Sequence, residues 1–213
     1  MTPAARDGVR AALLAAARAE LVEHGTAAIS LRAVARRAGV SHAAPKYHFR
    51  DRAGLLTAIA TEGFLALSRA LARADEPDTR RQLAALGAAY IDFGLANPAL
   101  FELMFAPDHL HASDPELVVA QQQAIGQLTS TVQRLTGASD DTPTLALMSW
   151  ALVHGLVALT RHGALQAAVG AGEADDSMTL AYRLTEEFTE YVGHALGRVA
   201  AGERVAGPGF EPG

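Results

Sequence analysis

Apolar residues recur every three to four positions over most of this chain, the period of helices that bury one face. Val9, Leu13, Ala17 and Leu21 predict a first helix from about Arg6 to His24, and Gly25 is placed to end it in a left-handed conformation. Ser30 reads as the N-cap of a short helix with Leu31, Val34, Ala35 and Ala38 on its buried side. Gly39-Val40 then makes a tight turn. Ser41 reads as the next N-cap, and a second short helix ends near Phe49. Asp51 is a third cap candidate. The longer helix after it runs to about Arg73 and offers Leu55, Leu56, Ile59, Phe64, Leu67 and Leu71 for packing.

Further on, Glu76-Pro77-Asp78 breaks the pattern and opens a helix to about Ala96. Asn97-Pro98 restarts it, since proline is tolerated at an early helical position. A loop spans Ala106 to Asp114, and helices are predicted at about 115–135, 143–167 and 178–199. Gly- and Asp-rich stretches, Gly137 to Asp141 and Gly170 to Asp176, separate them. The Gly/Pro-rich end, 201–213, is expected to fray. Few stretches alternate as strands do. The prediction is an all-α chain of about nine helices: a three-helix domain over 1–52 and a larger helical domain over 53–200. No flexible linker follows the first domain, so the helix from Asp51 is expected to join the two rigidly.

Composition supports closely packed helices. Half of the 213 residues are apolar, Ala dominates them, and aromatics make up only 6%. The absence of Cys excludes disulfides, thiolate zinc sites and cysteine nucleophiles. No run approaches the roughly 18 uninterrupted apolar residues of a membrane span. The apolar run Ala11 to Ala17 follows Asp7 and leads into Arg18 and Glu20, so it reads as a helix face and not a signal peptide. The expectation is a cytoplasmic protein without a membrane partner.

Charge changes the picture. The net charge is −5, which on its own disfavours nucleic acid. Residues 1–52, however, carry nine Arg or Lys against four acids, or +5, and the remaining nine basic and 19 acidic residues give −10. A basic first quarter on an acidic chain points its N-terminal end at phosphates.

That end holds Ser30-Leu-Arg-Ala-Val-Ala-Arg-Arg-Ala-Gly-Val-Ser-His-Ala-Ala-Pro-Lys-Tyr-His-Phe49, two short helices around a glycine turn. Small Ala35 lets the helices approach, Gly39 supplies the turn, and Val40 plugs the core between them. Ala38-Gly39-Val40-Ser41, Tyr47-His48-Phe49, Arg52 and Leu55-Leu56 fall at the spacing of a known pattern. Over about residues 9–56 the chain resembles the TetR family of bacterial transcriptional repressors. The resemblance implies that His42, Ala43, Ala44 and Lys46 approach base edges at the start of a recognition helix, with Ser41 also among the DNA-binding positions. It implies that Tyr47, His48 and Arg52 touch backbone phosphates, with Arg32 and Arg36 as further phosphate contacts. The chemistry agrees, because cations release counterions on meeting phosphates and alanines pack on thymine methyls. Two positions depart from the family: Lys46 stands where a tyrosine is usual, and Pro45 lies about one turn into the expected helix, where its missing N–H costs a helical bond.

In the resembled family the larger domain binds a small ligand between helices and dimerises through its last two long helices. Met148, Leu152, Leu156 and Leu159, with Leu145, form one candidate dimer stripe; Leu184, Phe188 and Tyr191, with Leu180 and Val192, form the other. Packing within one chain would give the same pattern. Trp150-Ala-Leu-Val-His154-Gly155 resembles a Trp…His-Gly signature of one subgroup, with Trp150 and His154 one turn apart. They read equally as a ligand-pocket wall or as a packed Trp beside a hydrogen-bonded core His. Phe64, Phe93, Phe101, Met104 and Phe105 are candidates for the same pocket, or plain core. His109 and His111 lie near Asp108 and Asp114 without a second ligand cluster, so no metal is assigned. No catalytic motif stands out, and no cofactor or enzyme activity is predicted. The expectation is a ligand-responsive repressor that binds a palindromic DNA operator as a homodimer and leaves it on binding a small-molecule effector. An all-helical enzyme and a helical protein-binding module are the alternatives.

Overall fold

The computed structural model describes residues 3–137, 142–169 and 177–200; the tail expected at 201–213 lies outside them. Among the described residues there are ten α-helices and one 3-10 turn, and no strand. The helices are α1 (Pro3–Ala28), α2 (Leu31–Arg37), α3 (Ala44–Phe49), α4 (Arg52–Ala72), α5 (Thr79–Ala96), α6 (Pro98–Met104), α7 (Pro115–Thr136), α8 (Thr142–Arg161), α9 (Ala164–Val169) and α10 (Ser177–Ala200). The 3-10 turn, Pro107–His109, sits in the loop expected after α6.

The chain packs as two compact units. Unit 1 comprises Met1–Ala70 and Phe93–Gly126, and unit 2 comprises Leu71–Asp92 and Gln127–Gly213. These limits differ from a division at residue 52. Most of α4 and all of α6 belong with the first three helices, because they share one core.

In unit 1 that core is apolar throughout. Leu13, Leu14, Ala17 and Leu21 of α1 meet Ile29, Val34 of α2, Phe49 of α3, Leu55, Leu56 and Ile59 of α4, and Leu103 of α6. The α1 face is the one its spacing predicts. Burying each of the Leu, Ile, Val and Phe side chains contributes about 1.5–3 kcal/mol. Within α1 the helix breaks at Gly25, whose φ of 74° and ψ of 174° are not helical, where the sequence places a stop; the residues to Ala28 follow across the kink. Gly63 lets α4 and α6 come close: a Cβ there would lie 2.7 Å from Met104 Sδ.

Unit 2 holds α8, α9 and α10 with parts of α5 and α7. α8 packs on both α9 and α10. The helix expected over 143–167 is two, because Gly163 adopts φ 67° and separates α8 from α9. A Cβ on Gly87 of α5 would lie 2.4 Å from Thr185 Cγ2 of α10, so α5 and α10 touch along a glycine. Leu83, Val132 and Ala146 form a local apolar cluster.

Among the described residues two helices, α4 and α8, are long and apolar enough to cross a membrane by length and composition, which counting uninterrupted apolar runs does not bring out. Leu55, Leu56, Ile59, Phe64, Leu67 and Leu71 bury the apolar side of α4 within the protein. α8 leaves Leu147, Met148 and Leu159 exposed.

Candidate nucleic-acid interface

Local chemistry sets the two helices of the reading head. Ser30 is extended, and its hydroxyl accepts from the Ala33 amide at 3.1 Å, capping α2 as predicted. Gly39 takes φ 65°, a conformation that a side chain resists. Val40, half-buried, packs on the unit 1 core. α3 then begins at Ala44, later than Ser41 implies, and its N-cap is Ala43 without a side-chain bond. Ser41 instead closes a turn, its carbonyl accepting from the Ala44 amide at 3.0 Å. Pro45 explains the shift. It falls in the first turn, where no N–H is needed, so the helix starts just before it and the expected loss of a helical bond does not occur.

Anchoring from below is apolar. Phe49 is buried, and the Arg10 guanidinium lies 5.5 Å from its ring centroid. Arg32 and Arg36 of α2 and Lys46 and Tyr47 of α3 are exposed, as are Ser41, His42 and Ala43 in the turn before it. His48 is half-buried and meets the Tyr47 ring edge-on, centroids 5.2 Å apart. Ala44 is half-buried against the core.

The basic residues divide into two groups. Arg37 donates to Glu20 at 3.0 Å and also to Glu23, which locks α2 onto α1. The Arg37 hydrogen bond holds the Glu23 carboxyl below its ordinary range. Arg18 pairs with Glu62 at 3.3 Å. Arg52, expected at phosphates, donates through Nε to the Ile29 carbonyl at 2.9 Å and through a terminal nitrogen to the Thr26 carbonyl at 2.6 Å. Among the described residues no ion pair engages Arg32, Arg36, Lys46 or Arg50. The local excess of +5 is therefore presented to solvent by fewer cations than the sequence counts.

At the exit from α3, Asp51 caps α4 as predicted, its Oδ1 accepting from the Gly54 amide at 2.7 Å. His111 Nε2 reaches the same oxygen at 3.0 Å, and the His111 amide donates to Thr57 Oγ1 at 2.9 Å. The Gly54 bond first, and then His111, hold the Asp51 carboxyl below its usual range. His111 is thus part of the fold. No group of three or more potential metal ligands occurs among the described residues.

The candidate ligand residues fall in both units. Unit 1 holds Phe64, Phe93, Phe101, Met104 and Phe105. The Phe105 ring centroid is 5.4 Å from that of Phe64 and 4.9 Å from that of Phe101. Unit 2 holds Trp150 and His154, and joins them through a residue the sequence did not single out. Tyr90 of α5 is buried; its hydroxyl accepts from Trp150 Nε1 at 3.1 Å and meets His154 Nδ1 at 2.9 Å. Burial pushes the Tyr90 hydroxyl pKa up and the His154 pKa down, so both are neutral near pH 7. The one available signal was that a buried tyrosine needs a hydrogen-bond partner.

Of the candidate dimer residues, Met148, Leu159 and Tyr191 are exposed, Leu152, Leu184 and Phe188 are half-buried, and Leu156 is buried within the chain. Leu147, which the sequence reading did not single out, is also exposed, beside Met148.

A capped helix, a left-handed glycine turn and a short exposed helix flanked by unpaired cations define a helix-turn-helix DNA-binding protein. Residues 13–59 match the family of bacterial regulatory proteins called the tetR family, and residues 83–185 match the tetracyclin repressor-like C-terminal domain. A solved structure of a protein with unknown function from Rhodococcus sp. RHA1 is 36% identical, with a TM-score of 0.71 over 84% of this chain and 94% of that one. A bacterial regulatory protein in the tetR family from Rhodococcus RHA1 shares the fold at 21% identity and a TM-score of 0.61, over 87% of this chain and 97% of that one. So does a TetR family transcription regulator from Marinobacter aquaeolei VT8, at 22% identity and 0.59, with the same coverage of 87% and 97%. No curated protein matches the chain. The chain belongs to the TetR family of transcription regulators.

Proposed function

We propose that this regulator is a ligand-responsive repressor that grips a palindromic operator as a homodimer and releases it on binding a small effector. The observation that carries the reading is the exposed α3, with Lys46 and Tyr47 on its outer face and Arg32 and Arg36 beside it, none of the three cations in an ion pair among the described residues. His42, Ala43 and Ala44 supply base-edge contacts, and Tyr47 and His48 supply phosphate contacts. Exposed Leu147, Met148 and Leu159 of α8 and Tyr191 of α10 supply an apolar face for a second copy. A twofold dimer presents two recognition helices to major grooves about 34–36 Å apart, and an effector that favours another spacing releases the DNA. The hydrogen-bonded Tyr90, Trp150 and His154 are the polar group in unit 2 suited to sense it. Such a protein works in the cytoplasm.

Selection from a random-sequence duplex pool tests the reading, followed by gel shift with the DNA upstream of the protein's own gene. The expected result is a palindromic motif present in that DNA. Binding to the selected duplex no tighter than to the starting pool overturns it.

A further inference from the structure

Arg50 stands between the recognition helix and α4, with φ 69° and ψ −58°. The Asp51 amide donates back to the Phe49 carbonyl at 2.8 Å, which closes a γ-turn centred on Arg50. A γ-turn with positive φ is rare and strained for a residue that carries a Cβ. Arg50 is the sole non-glycine residue with positive φ among those described.

The surroundings hold the turn from both sides. The Arg50 amide bonds to the Lys46 carbonyl at 3.0 Å, which places Arg50 one turn beyond Lys46 along the recognition helix. The Phe49 ring is buried. The first turn of α4 approaches so closely that a Cβ on Gly54 would stand 2.1 Å from the Phe49 carbonyl oxygen. Glycine at position 50 would meet this geometry with less strain. The sequence places an arginine there.

Arg52 and Arg50 differ in what their guanidinium groups do. That of Arg52 is engaged by the Ile29 and Thr26 carbonyls. Arg50 is exposed, and no ion pair among the described residues engages it. The neighbouring Asp51 carboxylate accepts from the Gly54 amide and His111 Nε2, and it feels the Arg50 charge without pairing with it.

We propose that Arg50 makes the DNA phosphate contact immediately after the recognition helix, and that Arg52 is a positioning residue that holds the segment between α1 and α2. The proposal rests on the regulator reading above and assigns the contact within it. Strain at Arg50 is then the local cost of aiming a cation at the duplex.

The test measures binding of the full chain to the duplex it selects from a random pool, as a function of salt, together with thermal melting. Each phosphate contact adds about 0.9 to the slope of log K against log salt. R50G should therefore make the slope shallower by about 0.9 per subunit, or about 1.8 for a dimer. At about 0.1 M salt this corresponds to a loss of about eightfold per subunit and about sixtyfold for a dimer. R50G should melt no lower than the parent, since the turn is relieved, and R50K should restore the slope. R52A should melt several degrees lower with the slope unchanged, and R52K should not restore the melting temperature, because an ammonium cannot span two carbonyls as the guanidinium fork does. A parental slope in R50G, a lowered melting temperature in R50G, or a shallower slope in R52A overturns the proposal. If the parent selects no duplex, the regulator reading itself fails and this assignment fails with it.

Discussion

Units 1 and 2 differ in how much polar material they bury. Unit 1 has an apolar core, and its buried polar residues are Thr57 and Thr61, each closed onto a carbonyl of its own helix. Most of its charges lie outside, in surface pairs or facing solvent, with Arg52 held by the Ile29 and Thr26 carbonyls as the exception. Unit 2 buries Gln82, Thr131, Thr142, Ser149, Thr185 and Thr189; Ser149, Thr185 and Thr189 likewise close onto carbonyls of their own helices, but α5 is joined to α8 through the side chains of Tyr90, Trp150 and His154. Apolar packing keeps one shape whatever touches the surface, which suits a head that reads a stiff duplex. A buried hydrogen-bonded group is costly to leave unsatisfied and can exchange its partners for those of a polar ligand. The contrast is what the proposed division into a reading head and a sensing interior requires.

The largest expected effect tests the unit 1 side. Leu56 is fully buried, and Leu56→Ala should cost about 2–5 kcal/mol in denaturant unfolding, with DNA binding lost as the head loosens. A cost under about 1 kcal/mol would mean that the core collapses around the gap and does not define the head. The next effect tests unit 2. Tyr90→Phe keeps the ring and removes the hydroxyl that Trp150 Nε1 and His154 Nδ1 share. The expected cost is about 1–3 kcal/mol, with duplex affinity in the absence of effector unchanged and the response to effector altered. A neutral Tyr90→Phe with an unaltered response would remove the proposed difference between the units.

How much of this was legible depends on how local each cause is. Ser30, Gly39 and Asp51 were readable because a cap or a left-handed turn admits few residue types, and all three act as their types imply. The α1 face was readable because a spacing of three to four residues is a property of one helix. The start of α3 was misjudged although the decisive residue was in view: Pro45 belongs in a first turn, and this outweighs a serine two residues before the actual N-cap, Ala43. Arg52 was not legible, since its partners are carbonyls 23 and 26 residues away. Nor was Tyr90, whose hydroxyl meets a histidine 64 residues on. Periodicity also ran α8 into α9, because Gly163 breaks the helix without changing the apolar pattern.

The smallest effect is a pH dependence that separates the two kinds of polar group. Burial holds His154 below its ordinary value, whereas the unfolded imidazole titrates near about 6.5. As pH falls through about 6.5 the unfolded chain takes up a proton that the folded chain resists, so stability declines until the folded pKa is reached and then levels off. The lowered carboxyls Glu23, Asp51 and Asp78 act further down. Their stabilisation is complete above the ordinary carboxylate range and is lost as pH falls through their lowered values. His154 is the one shifted group among those described that acts in the upper window, and Tyr90 is the polar group facing it. The denaturation midpoint should therefore fall in two stages between about pH 7.5 and 3. His154→Gln should flatten the upper stage and leave the lower one in place. A parent whose midpoint is level from about pH 7.5 to 5 would show that His154 takes up its proton in the folded protein as readily as in the unfolded chain, and that unit 2 does not keep this side chain neutral.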